Sequence, residues 1–146
     1  MKAVYFTEHG EPEVLTYGDL SDPVAGPLEV IVDIHAASVN GADWKVRAGS
    51  YGAVPFFPYV LGRDFSGVIS AVGNDVGDLA VGDEVFGVCD VGQEGTYAER
   101  IAMKASITAK KPPSLSHEEA AALALTGLTA LVPLKTRSNF SVARRS

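Results

Sequence analysis

The residues best suited to chemistry lie in the segment VNGADWKVRAG, which contains Asn40 and Lys45. An asparagine side chain offers a donor and an acceptor, and a lysine ammonium can polarise a carbonyl oxygen as negative charge develops on it. Each residue also has a structural interpretation, since Asn40 is suited to cap a helix and Lys45 to remain a solvated charge. Asp43, which lies between them, is expected to bond to nearby backbone N–H groups.

A second charged pair, Arg63 and Asp64, is adjacent in the segment LGRDFSG. One interpretation makes the pair a charged wall of a cleft, and the other makes it an anchor for the loop that enters the next strand. The preceding loop is rich in aromatic residues that could cover a flat ring or pack in the core. These residues are Tyr51, Phe56, Phe57 and Tyr59.

The residue types disfavour metal and phosphate sites. With one cysteine, Cys89, the chain cannot form an internal disulfide or a thiolate cluster, and we expect this thiol to be inert. The histidines, at positions 9, 35 and 117, are expected to lie far apart and to lack ligand spacing, so no zinc site is expected. No two glycines are separated by one residue and none precedes a lysine, so neither G-x-G nor a P-loop occurs.

Composition excludes other classes of function. The net charge of −6 argues against nucleic-acid binding, which needs clustered Lys and Arg. The start MKAVYFTEHG has no apolar signal core, and no stretch approaches the ~20 apolar residues of a membrane span. A cytoplasmic location is therefore expected.

Short apolar segments separated by turns predict an antiparallel, barrel-like β domain over residues 1–115. A short helix, Gly41–Ala48, is predicted inside it, with Asn40 as its N-cap and Gly49 at its end. The predicted strands are Ala3–Phe6, Val14–Tyr17, Glu29–Val39, Asp64–Val72, Glu84–Cys89 and Thr96–Met103.

The pattern becomes helical after the β domain. Ser116 and Glu119 have the spacing of a capping box, which predicts a helical segment over residues 116–137. Its core, Ala120–Leu134, is expected to be broken, because Gly127 weakens a helix and Pro133 cannot donate to the carbonyl four residues back. Residues 138–146 show no periodicity and are predicted to be disordered.

Several segments carry a family resemblance in the right order: MKAVYFTEHGEPEVL, VNGADWKVRAG, PYVLGRDFSGVISAVG, VGDEVFG, GTYAER and ALALTGLTAL. They make the chain similar to the N-terminal GroES-like domain of the medium-chain dehydrogenase/reductase superfamily. It most resembles the zinc-free, zeta-crystallin-like quinone oxidoreductase branch. The resemblance implies a mainly β fold, a partly open antiparallel barrel with short helices and a C-terminal helical segment.

The same resemblance implies a function and a set of site residues. Members transfer hydride from NADPH to a quinone or an α,β-unsaturated carbonyl across a cleft between this domain and a Rossmann domain. By residue matching, Asn40, Lys45 and Thr126 would contact the cofactor, although Thr126 could instead bond back to its own helical turn. Tyr51 and Phe57 are the candidate substrate-binding residues.

Zinc-dependent relatives hold their metal with a Cys and a His. By the resemblance, the corresponding positions in this chain are Gly41 and Arg63. An arginine has no lone pair to offer a metal, so the resemblance implies a zinc-independent site. No catalytic residue is assigned.

In the resembled family a glycine-rich turn that binds the dinucleotide follows the segment matching Lys135–Arg137, and SNFSVARRS stands there instead. We therefore expect a truncated chain that binds NADPH weakly and has little activity. The alternative is a non-catalytic binding or regulatory module that associates, with itself or a partner, through an exposed C-terminal helix.

Overall fold

The computed structural model describes residues 1–137, with side chains as far as Lys135. Eight strands form two antiparallel sheets, a small one in the order β2-β1-β4 and a larger one in the order β7-β3-β5-β6-β8. The strands are β1 (Lys2–Phe6), β2 (Thr16–Asp19), β3 (Glu29–Ala36), β4 (Tyr59–Val60), β5 (Asp64–Val72), β6 (Glu84–Val88), β7 (Arg100–Lys104) and β8 (Thr108–Lys110). The predicted mainly β fold, a curled half-barrel with a C-terminal helix, is confirmed.

The main hydrophobic core is formed mostly by side chains from one face of the larger sheet. Alternation along β3 directs Val30 and Val32 inward, and Val32 pairs with Ile69 of β5. The bulges between β3 and β5 bend the sheet, which lets it curl around this core. Its buried members are Val30, Val32, Phe65, Ile69, Val85, Cys89, Ile101 and Met103.

Strand β5 begins and ends where the sequence predicts, but other boundaries differ. Strand β3 stops at Ala36, because the chain turns there and brings Ser38 to the carboxylate of Asp64. The predicted strand Val14–Tyr17 starts late, since Pro12–Val14 forms a 3₁₀ turn. The predicted strand Thr96–Met103 pairs continuously only over Arg100–Lys104, and β4 and β8 are not predicted at all.

Helix α1 (Gly41–Arg47) follows the predicted cap. The Asp43 carboxylate accepts the backbone N–H of Asn40 at 2.7 Å, and the Asn40 carbonyl accepts the backbone N–H of Asp43 at 3.0 Å. The helix ends at Arg47, one residue before the predicted Ala48, and Gly49 follows with a φ of 75°, the left-handed conformation that favours glycine.

Helix α2 (His117–Arg137) is capped as predicted, since Ser116 and Glu119 exchange bonds of 2.9 and 3.1 Å. The predicted break is wrong, because the helix runs through both Gly127 and Pro133. The carbonyl that Pro133 leaves without a helical donor belongs to Thr129, an exposed residue that water can reach. The prediction for residues 138–146 falls outside the described residues.

The first turns of α2 pack on β3, β5 and β6 through three buried alanines, Ala120, Ala121 and Ala124. Its later part carries exposed apolar side chains. These include Leu128, Leu131, Val132 and Leu134.

Candidate functional site

The start of α1 is held by a fully buried carboxylate, Asp64. It accepts the backbone N–H of Ser38 at 2.8 Å, the hydroxyl of Ser38 at 2.6 Å and the side-chain amide of Asn40 at 3.0 Å. Three donors to one carboxylate balance its burial. Asp64 thus anchors the loop between β3 and α1 to the first residue of β5.

A second buried carboxylate, Asp43, connects α1 to the segment before β7. Its Oδ2 accepts the hydroxyl of Tyr97 at 2.6 Å as well as the backbone N–H of Asn40. Burial, reinforced by this hydrogen bond, raises the pKa of Tyr97. Tyr97 therefore remains a protonated donor, and Asp43 does the local bonding that the sequence predicts.

The side chains of the two predicted cofactor residues at α1, Asn40 and Lys45, differ in how tightly they are held. The side-chain amide of Asn40 bonds to Asp64, which fixes its orientation. The ammonium of Lys45 lies 5.6 Å from the ring centroid of Trp44 and 5.7 Å from that of Tyr51. Within residues 1–137 it has no salt bridge to an acid, so its N–H donors remain available.

The aromatic loop does not form one surface. Tyr51 is exposed beside Lys45, whereas Tyr59 is buried. Phe57 makes edge contacts with Phe6 and His9, at centroid distances of 5.7 and 5.6 Å. The structure therefore brings Tyr51 to Lys45 and directs Phe57 to a separate aromatic cluster.

Thr126 lies on the exposed part of α2, and its hydroxyl donates to the carbonyl of Ala122 at 2.7 Å. This is the bond to its own helical turn that the sequence left as the alternative. The hydroxyl oxygen can still accept a hydrogen bond from a ligand.

Sequence reasoning misses a polar cluster in a pocket of about 140 Å³ beside Tyr51. Here the Tyr59 hydroxyl donates to the carboxylate of Glu94, and burial raises the pKa of Tyr59. The other Glu94 oxygen, Oε1, lies 4.0 Å from Nε of Arg63. Glu94 belongs to the loop CDVGQEGTY, in which no local pattern marks it.

Arg63 also borders a larger groove of about 760 Å³ between β6 and α2. Its guanidinium donates to the carbonyl of Cys89 at 3.5 Å, the limit of a hydrogen bond. Arg63 therefore lies between the small pocket and this groove. The side chain of its neighbour Asp64 points instead toward Ser38 and Asn40, to which it is hydrogen-bonded.

The expectation that the histidines lie far apart is wrong for one pair. The rings of His35 and His117 have centroids 4.4 Å apart, because the start of α2 packs against β3. His117 Nδ1 lies 2.8 Å from the Ser66 hydroxyl, and its Nε2 is 3.5 Å from Glu84. Burial, followed by the neighbouring His35, lowers the pKa of His117.

Residues 1–137 bring together no group of three or more His, Cys, Asp or Glu that could hold a metal ion. Cys89 is buried, its Sγ is 3.8 Å from the sulfur of Met103, and burial raises the pKa of its thiol to about 12. Neither helix in the described part of the chain combines the length and apolarity needed to cross a bilayer.

Comparison with known proteins matches residues 26–113 to the alcohol dehydrogenase GroES-like domain family. The human mitochondrial NAD(P)H oxidoreductase RTN4IP1 is 37% identical over 89% of this chain and 37% of its own length. The quinone oxidoreductase of Coxiella burnetii has a TM-score of 0.87 and 35% identity, over 94% of this chain and 45% of that one.

The Escherichia coli quinone oxidoreductase complexed with NADPH has a TM-score of 0.83 and 33% identity, over 92% of this chain and 40% of that one. The chain thus spans less than half the length of each of these proteins. It belongs to the alcohol dehydrogenase GroES-like domain family, and its relatives and structural neighbours include quinone oxidoreductases of the medium-chain dehydrogenase/reductase superfamily.

Proposed function

We propose that this chain forms the substrate side of an NADPH-dependent, zinc-independent oxidoreductase that reduces quinones or α,β-unsaturated carbonyls. Residues 1–115 would be its β domain, and residues 116–137 the helical segment that leads toward a cofactor domain. We also propose the cytoplasmic location expected from the sequence, although one relative is named a mitochondrial protein.

The observation that carries the proposal is the position of Lys45 beside Tyr51. An ammonium that has no salt bridge within residues 1–137 lies against an exposed aromatic ring, at the end of a helix that two buried carboxylates hold in place. A flat ring can lie on the aromatic surface while the ammonium donates to its carbonyl oxygen.

The residues present fit part of an NADPH site. Lys45 has available donors, Thr126 retains an acceptor and Asn40 is held in a fixed orientation. NADPH would supply the hydride, and these residues would bind and orient its nicotinamide end. The phosphate-binding turn has no counterpart in these 146 residues, which lack G-x-G, so the chain alone would bind NADPH weakly.

Zinc independence rests on Arg63 and Gly41, which stand where zinc-dependent relatives would have metal ligands. Neither side chain can coordinate a cation. The pocket beside Arg63 is instead bordered by an acid and a buried tyrosine that are bonded to one another.

A fusion tests the activity. Residues 1–137 would be joined to the cofactor-binding part of the Escherichia coli quinone oxidoreductase, and NADPH oxidation would be followed with 1,4-naphthoquinone. We expect quinone-dependent oxidation that survives treatment with a chelator, and a reduction of about tenfold in kcat/KM for Lys45→Met. A folded fusion that binds NADPH but does not reduce quinones would contradict the proposal.

The exposed side chains of α2 favour a second candidate, a non-catalytic module that associates through this helix. Leu128 and Leu134 are 48% and 66% exposed and occupy a helix that is otherwise anchored to the β domain. Sedimentation velocity over a dilution series tests self-association, with Leu128→Gln/Leu131→Gln as the variant. A monomer at every concentration would count against this candidate.

A further inference from the structure

The pocket beside Tyr51 combines apolar walls with the cationic side chain of Arg63. Its volume of about 140 Å³ equals the liquid volume of about five waters at ~30 Å³ each, which suits one small ring. Tyr51, Val54 and Val91 contribute apolar surface, and Arg63 and Glu94 contribute charge.

The guanidinium of Arg63 makes few hydrogen bonds for a side chain that is largely buried. Its side chain is only 19% exposed, yet Nε has no hydrogen-bond partner in the described structure and Nη2 makes one bond at the 3.5 Å limit. Arg100, by comparison, bonds to the carboxylates of Asp22 and Asp33 at 2.8 and 3.0 Å. Because Nε is inaccessible, the donors that a ligand could use are the N–H groups of the two Nη atoms, of which only Nη2 makes a hydrogen bond in the described structure.

The charges around Arg63 select the type of ligand. The Glu94 side chain is 4% exposed and Oε1 lies 4.0 Å from the guanidinium, too far for a hydrogen bond. A ligand anion in this pocket would meet that carboxylate, whereas a neutral carbonyl oxygen would accept from Arg63 without a comparable repulsion.

We propose that Arg63 is a substrate-binding residue whose guanidinium donates to the carbonyl oxygen of a small, uncharged cyclic ketone or quinone in this pocket. Glu94, held by the Tyr59 hydroxyl, keeps the guanidinium in position and excludes anionic ligands. This inference rests on the proposed function and deepens it, because it adds Arg63 to Lys45 as a donor to a substrate carbonyl and names the kind of substrate that fits. Binding does not require the cofactor.

The test uses the 146-residue chain and nuclear magnetic resonance titrations with cyclohexanone. We expect millimolar binding, with shifts of the Arg63 side-chain signals and of the Val54 and Val91 methyl groups. Arg63→Gln should weaken binding about tenfold, the effect of losing a charged hydrogen bond. Arg100→Gln, a change on an exposed and well-paired arginine, should leave affinity unchanged.

Benzoate and benzene serve as comparison ligands in the same titration. We expect both to bind more weakly than cyclohexanone, because benzoate meets Glu94 and benzene offers no acceptor. Equal cyclohexanone affinity in Arg63→Gln, tighter binding of benzoate, or shifts confined to other residues would overturn the proposal. If Arg63→Gln does not fold, the wild-type shifts and the Arg63→Lys variant, which should retain intermediate affinity, decide the question.

The two proposals can fail separately. An active fusion together with unchanged cyclohexanone binding in Arg63→Gln would reject only the role of Arg63. Arg63-dependent binding together with a fusion that does not oxidise NADPH would reject only the proposed activity.

Discussion

Asp64 is the residue on which the start of α1 depends. It is buried and accepts three hydrogen bonds that fix Ser38 and Asn40. Replacement by a neutral side chain would leave at least one of these donors without an acceptor in a place that water cannot reach.

Asp64→Asn should therefore lower the free energy of unfolding by about 3 kcal/mol, since bonds to a charged acceptor contribute ~1.5–3 kcal/mol each. Asp90→Asn provides the control, because Asp90 is exposed and its salt bridge with Lys104 should contribute at most ~1 kcal/mol. Urea denaturation measures both variants. Equal losses would show that Asp64 is not the anchor.

Cys89 should be unreactive in the folded protein. Its thiol is buried and its pKa is raised to about 12, so almost no thiolate exists at pH 8. Because the unfolded thiol has an ordinary pKa near 8.5, this group stabilises the fold below that value, and the contribution falls as pH rises above it. Reaction with Ellman's reagent at pH 8 should be slow in buffer and complete in urea, and rapid reaction in buffer would contradict the burial.

Local side-chain patterns were predictable from the sequence, whereas distant pairs were not. The bond of Asp43 to the start of α1 follows from the spacing of Asn40 and Asp43 at a helix start. The contact of Asp43 with Tyr97, and that of Tyr59 with Glu94, join segments far apart in the chain. No local pattern marks such pairs, since only the folded sheet brings them together.

At the level of elements, Gly62, which precedes β5, packs closely against Thr96 and Tyr97 in the segment before β7. Its φ is +97°, and a Cβ built there would lie 2.2 Å from the Thr96 hydroxyl and 2.6 Å from the Tyr97 ring. The chain can therefore approach this closely only with glycine at position 62.

Gly62→Ala should destabilise the protein by about 3 kcal/mol, combining ~1 kcal/mol for the backbone conformation with ~2 kcal/mol for the overlap. Gly82→Ala is a matched control, because Gly82 has a φ of +91° but a Cβ added to it would meet no atom of the described residues within 4 Å. It should cost only about 1 kcal/mol. Thermal unfolding compares the two, and equal shifts in Tm would contradict the role of close packing.

The contact between α2 and the sheet should depend on pH through His117. Burial, then His35 and Lys111, lower the pKa of His117, and these effects exceed the opposite influence of Glu84 and Glu118. The folded state thus favours the neutral ring, so its contribution is present above the ordinary pKa of about 6.5 and is lost as pH falls below it.

His117→Gln removes this titration. The difference in unfolding free energy between wild type and His117→Gln should be larger at pH 7.5 than at pH 5. Urea denaturation at the two pH values measures it. A difference that does not change with pH would mean that the ring titrates as it does in the unfolded chain.

Element boundaries show the same limit of sequence reasoning. Strand β5 was predictable because the apolar run DFSGVISAV has glycine on both sides. The short strands β4 and β8 exist only through their partners, β1 and β6. The predicted break in α2 failed because a proline on an exposed helix leaves a carbonyl that water can bond.

Taken as a whole, the chain would supply the substrate half of the proposed site. Lys45, Tyr51 and Arg63 supply donors and an aromatic surface, while these 146 residues contain no glycine-rich turn for a dinucleotide. Substrate binding and cofactor binding should therefore be separable in this protein.

Titration with NADPH is the sharpest test of this separation. Trp44 is the single tryptophan, it is half exposed and it lies next to Lys45, so its fluorescence reports a cofactor bound beside Lys45. We predict a Kd weaker than ~1 mM, about −4 kcal/mol, and no NADPH oxidation when quinone is added. A micromolar Kd accompanied by quinone-dependent turnover would contradict it.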